Sequence, residues 1–103
     1  MIKHVVLIKV KPGTPRQRID AMVAGYNSMK GKIPELLSWS MGENVRTDGE
    51  YTHAMVAVLQ DVDSVKRYAS HPLHEQVARE LGRPIFETRA IADYEFDPES
   101  EPS

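Results

Sequence analysis

From Ile2 to Val10 the chain runs through valine, isoleucine and leucine, with Lys3 and Lys9 near the ends. Such a run predicts a strand buried on both faces. Lys11-Pro12-Gly13-Thr14-Pro15 stops it, and Thr14 suits the cap of a helix whose first position is Pro15. Ile19, Met22, Val23, Tyr26, Met29 and Ile33 then recur at helical spacing, up to Gly31 and Pro34. Leu37, Trp39 and Met41 alternate with Ser38 and Ser40, the period of a second strand. Asp48-Gly49 marks a reversal before a third strand, Tyr51 to Leu59. Asp61 or Asp63 can cap a helix carrying Val62, Val65 and Tyr68. His71 precedes Pro72 and is biased away from helical backbone, so a second short helix starts at Pro72. It carries Val77 and Leu81 inward and closes at Gly82 and Pro84; Thr88 to Phe96 is the last strand.

The order β-α-β-β-α-β is that of an α+β, ferredoxin-like fold, a four-stranded antiparallel sheet with helices on one face. Residues 1–97 form the one domain, and 98–103 an acidic tail expected to be mobile. Strand parity assigns Val5, Leu7, Ala54, Val56, Val58, Ala90 and Ala92 to the helix side, the alanines allowing close approach. The other parity holds Ile2, Val6, Ile8, Leu37, Trp39, Met41, Met55, Leu59 and Ile91. Left bare, that set would expose roughly 700–900 Å² of apolar surface, more than a monomer usually carries. The expectation is a homodimer through sheet faces, with a second copy as cover.

Three polar residues share the bulkier parity: His4, His53 and Asp93. They are expected between the two sheets, bonded to one another, to Tyr68, to His74 or to enclosed water. Tyr68 and His74 flank the Pro72 break, which can aim both toward one end of the sheet. A neutral His74 can serve as a base, and Tyr68 can donate to a developing enolate oxygen. The plainer readings are a satisfied structural network for His4 and His53, a half-buried aromatic for Tyr68, and a helix cap for His71. Trp39 joins His4, His53 and Asp93 as a substrate-contacting residue. Arg89 is read as neutralising Asp93 rather than reaching a substrate carboxylate.

Composition narrows the chemistry. The 103 residues carry a formal charge of -2 with scattered basic positions, which gives no footprint for nucleic acid. With no cysteine, thiolate chemistry and disulfides are excluded. No run reaches membrane-spanning length, and a cytoplasmic location is expected. His71 and His74 are too distorted by Pro72 to make a convincing metal pair, so neither metal nor cofactor is expected.

His4-Val5-Val6, Tyr51-Thr52-His53-Ala54, the run Tyr68-x-x-His71-Pro72-x-His74 and Asp93-Tyr94 together resemble the stress-responsive A/B barrel (Dabb) family of dimeric α+β barrels. The resemblance spans Ile2 to about Tyr94 and implies the same fold and dimer. Within the family these positions are similar to those of olivetolic acid cyclase-type proteins, cofactor-free polyketide cyclases. That likeness implies Tyr68 and His74 as the acid–base pair, with His4, His53 and Asp93 lining the pocket. The aromatic pocket residues of such cyclases have no counterpart in Glu75-Gln76-Val77-Ala78-Arg79. Three readings stand: a cofactor-independent cyclase or lyase acting on a carbonyl or polyketide-like substrate, a non-catalytic binder of a small apolar or aromatic ligand linked to stress, and a purely structural dimer.

Overall fold

The computed structural model describes residues 1–100. Its elements are β1 (Ile2–Val10), α1 (Arg16–Asn27), β2 (Ser38–Glu43), β3 (His53–Leu59), α2 (Val62–Ser70), α3 (Pro72–Val77), a π-helical turn (Ala78–Gly82) and β4 (Phe86–Glu95). The strands form one antiparallel sheet in the order β2-β3-β1-β4, the ferredoxin-like arrangement expected from the element order. The last residues of the expected tail, 101–103, lie outside the described residues.

Local chemistry explains most boundaries. The Asp61 carboxylate accepts from the Ser64 N–H and hydroxyl, both at 2.8 Å, and so fixes the start of α2. Thr14 does not cap α1; its hydroxyl turns back to donate to the Lys11 carbonyl at 2.6 Å. Helix α1 also stops at Asn27, earlier than its apolar spacing suggests. Met29 and Ile33 are nevertheless fully buried, on turns that follow it and include Gly31 at φ +81°. The periodicity was therefore a record of burial beyond the helix itself.

The parity assignment is inverted. The helices cover the face bearing Ile2, His4, Val6, Ile8 and Val10 on β1, Trp39 on β2, and His53, Met55, Ala57 and Leu59 on β3, all buried. The face turned away carries Val5, Leu7, Ala54, Val56, Val58, Ala90 and Ala92, flanked by Lys3, Lys9, Ser38 and Ser40. The physical reason was in the strands: Lys3 and Lys9 share parity with Val5 and Leu7, and a lysine next to a packed helix layer would lose its solvation. The bulky set is thus already hidden within one protomer, and His4, His53 and Asp93 face the helices instead of a second sheet. Only Leu37 and Ile91 of that set remain about half exposed.

Where the π-helical turn meets β4, room is scarce. A β-carbon on Gly82 would sit 2.5 Å from the Tyr26 hydroxyl oxygen and 3.0 Å from Phe86 Cζ. Gly82→Ala should lower stability by about 1–3 kcal/mol, as overpacking does. Urea denaturation checks this, and an unchanged midpoint would refute it.

Candidate functional site

Helix α2 ends because His71 adopts φ -62°, ψ 135°, the extended geometry that a following proline favours. His71 then starts α3, its Nδ1 accepting from the Leu73 N–H at 3.1 Å. The break folds His74 back over the end of α2. Its ring centroid lies 4.6 Å from that of Tyr68, and its Nδ1 is 2.9 Å from the Ala69 carbonyl oxygen. A carbonyl only accepts, so Nδ1 carries the proton and Nε2 is left with its lone pair. Burial pushes the His74 pKa below its ordinary value, despite the opposing bond to Ala69. The ring is neutral near pH 7 because burial disfavours the imidazolium.

Tyr68 is 2% exposed. Burial drives its phenol pKa well up, so the hydroxyl keeps its proton and can only act as a donor or acceptor of hydrogen bonds. On its other side stands His4, in edge-on contact with ring centroids 5.7 Å apart. His4 faces Asp93 across the β1–β4 ladder, and its Nδ1 bonds to the Asp93 carboxylate. That carboxylate, itself open to solvent, fixes the plane of the buried His4 ring.

Between β1, β4 and the α2–α3 break lies a cavity of about 270 Å³. His4, Tyr68 and His74 line it, with Val6, Ile8, Met55, Val65 and Ile91 as apolar wall and Tyr26, Glu75, Arg83, Phe86 and Arg89 closing the rest. Asp93 joins the site through His4. Trp39 and His53, expected as substrate contacts, are not among the residues that line this cavity. α1 packs over β2 there, and the Trp39 Nε1–H donates to Asn27 Oδ1 at 2.9 Å while its ring lies behind Tyr68. Nor does Arg89 pair with Asp93: cross-strand contact gives Asp93 to His4, whereas four residues separate it from Arg89 along one strand. Sequence reasoning missed Tyr26, Glu75, Arg83 and Phe86. Correct parity for β1 would have pointed to Phe86, which pairs with Val10.

His53 is buried beside this wall. Its Nδ1 donates to Thr52 Oγ1 at 2.9 Å, since the Thr52 proton goes to the Ile8 carbonyl. His53 Nε2 is left buried without a partner. Burial lowers the His53 pKa. Among the described residues, no three His, Asp or Glu side chains converge as metal ligands would, and no helix is long and apolar enough to cross a membrane.

Comparison with known proteins gives a consistent result. A family model described as the stress responsive A/B barrel domain matches residues 2–96. An uncharacterized protein of Streptomyces coelicolor is 37% identical over 99 residues, covering 93% of this chain and all of the relative. A stress-response A/B barrel domain-containing protein of Arabidopsis thaliana is 26% identical, covering 75% of this chain and 73% of the relative. Among solved structures, a dimeric ferredoxin-like protein of unknown function from Bacteroides fragilis superposes with a TM-score of 0.83 at 26% identity, covering 92% and 95% of the two chains. A hydroxynitrile lyase from Passiflora edulis shares the fold at a TM-score of 0.81 and 20% identity, with 94% of each chain covered.

The buried His53 makes stability depend on acid. Below pH 6.5 the unfolded chain takes up a proton on this residue that the folded chain refuses, so stability falls as pH falls. The slope for one such group reaches at most about 1.4 kcal/mol per pH unit. His53→Asn keeps a donor for Thr52 but cannot titrate. Melting temperatures at pH 7.5 and pH 5 should differ less for the variant than for the native chain; equal losses would refute the assignment.

Proposed function

The chain belongs to the stress-responsive A/B barrel family, and on that premise we propose that it is a homodimer whose protomers each hold a small-molecule pocket for acid–base chemistry. The reaction is of cyclase or lyase type, on a carbonyl or polyketide-like compound, and uses only the protein's own side chains. The observation that carries this reading is a neutral imidazole of fixed tautomer against a phenol that cannot ionise, at the wall of one cavity.

In the chemical step His74 Nε2 removes a proton from the carbon next to a carbonyl. The electron pair moves onto the carbonyl oxygen, and the Tyr68 hydroxyl stabilises that enolate by donating to it. The enolate carbon then bonds to a second carbonyl carbon, whose oxygen takes the proton back from His74. Run in reverse, the same groups break the carbon–carbon bond, which gives a lyase. His4, held by Asp93, packs against Tyr68 and positions it. The cyclase-type likeness seen in Tyr68 and His74 supports this chemistry, and the lyase name of one fold neighbour is compatible with it.

The dimer reading rests on the open sheet face. Across this face Val5 lies between Val56 and Ala92, Leu7 lies between Ala54 and Ala90, and Val58 continues the row, which makes an apolar surface suited to a second copy. Solved relatives of the fold are described as dimeric. Burying this face leaves the pocket on the opposite side of the sheet accessible in both protomers.

A non-catalytic ligand carrier would use the same cavity and differs only in forming no product. His74→Ala should abolish turnover of a β-dicarbonyl substrate while leaving melting temperature and dimer nearly unchanged; retained turnover would refute the role of His74. The acid limb of the native pH–rate profile should lie below pH 6.5, because the base must be unprotonated and its pKa is depressed. Val56→Lys should convert the dimer to monomer in sedimentation, with the circular dichroism spectrum retained. A native chain that sediments as a monomer at micromolar concentration would overturn the dimer.

A further inference from the structure

The charges around the cavity are matched except for one. Asp93 is taken by His4. Glu75 faces Arg83 at 3.5 Å. Arg89 lines the cavity and, among the described residues, forms no ion pair or hydrogen bond. Strand register puts it opposite Ile8, at the other end of the site from the His4–Asp93 pair. Four residues of strand separate the two ends, about 13 Å.

A second unmatched donor stands at the same end. Tyr26 is 5% exposed, its ring stacks on Phe86, and its hydroxyl has no hydrogen-bond partner among the described residues. The Arg89 guanidinium is near enough that its charge opposes the rise that burial causes in the Tyr26 pKa. Gly82, lacking a β-carbon, lets that hydroxyl lie close against the turn. A buried phenol without a partner and a cation without a counter-ion form a donor pair, and a carboxylate satisfies both.

We propose that Arg89 and Tyr26 bind the carboxylate of the substrate, which is therefore a small oxo acid with an apolar body. This rests on the reading of His74 and Tyr68 as the reacting end, and it sets the substrate's direction. The carboxylate sits at Arg89, the chain lies along Ile8 and Ile91, and the carbonyl reaches Tyr68. A cavity of about 270 Å³ is at the small end for ligand pockets, so the body is short. One free guanidinium beside an apolar wall fits a singly charged acid better than a phosphate.

The test is a binding measurement with unreactive probes, which separates it from the outcome of the catalytic assays. Calorimetry compares 3-phenylpropanoate, 3-phenylpropanamide and inorganic phosphate on the native chain, Arg89→Gln, Arg89→Lys and Tyr26→Phe. The acid should bind about tenfold or more tightly than the amide, with phosphate weaker than both. Arg89→Gln should erase the preference, Arg89→Lys keep part of it, and Tyr26→Phe reduce it. Equal binding of acid and amide, a preference that survives Arg89→Gln, or no binding of either at millimolar concentration would overturn the proposal.

Discussion

Burial of one sheet face under the helices is the constraint on which the rest of this molecule depends. Val6, Ile8, Trp39, Met55 and Leu59 supply the apolar area, and Met22, Tyr26 and Val77 meet them from the helical layer. Because successive strand residues alternate between faces, fixing Val6 inward also fixes His4 inward. A polar ring is carried into the core by its hydrophobic neighbours and must find a partner there. Asp93, directly opposite on β4, is that partner.

The site arises where this packing is incomplete. The helices sit closely over β2, β3 and β1, but β4 is mostly uncovered, and Ile91 remains 51% exposed although it shares the helix-facing parity. The break at Pro72 shortens both helical segments beside β4 and leaves the gap that becomes the cavity. Two histidines reach it with their tautomers set in different ways, His74 by a backbone carbonyl and His4 by a carboxylate. Tyr68 lies in ring contact with both. A mobile, hydrated pair of histidines would have no such asymmetry.

The same alternation leaves the outer face mildly apolar. Its valines and alanines are smaller than the residues beneath the helices, and lysines bound it at both ends of β1. Such a surface is flat enough to meet another sheet, yet it carries too little bulk to demand cover by a further layer of the same chain. The cavity and this outer face thus occupy opposite sides of one four-stranded sheet, and each can change without displacing the other.

Much of this is fixed by local chemistry, and so was readable from residues alone. Element order, the stop at Pro12-Gly13, the Asp61 cap and the extended His71 before Pro72 depend on a few adjacent residues. Tyr68 and His74 could be paired across the break because the intervening chain is short. Which face the helices cover was a different matter, since both parities of β1 and β3 are apolar, and only the flanking lysines and serines favour the right one. The fate of His53 and Trp39, the partner of Asp93 and the isolation of Arg89 depend on residues far away in sequence. Contacts across the β1–β4 ladder and beneath α1 join positions far apart in sequence, His4 and Asp93 by 89 residues. Local propensity carries no information about such pairs, and tertiary packing alone decided them.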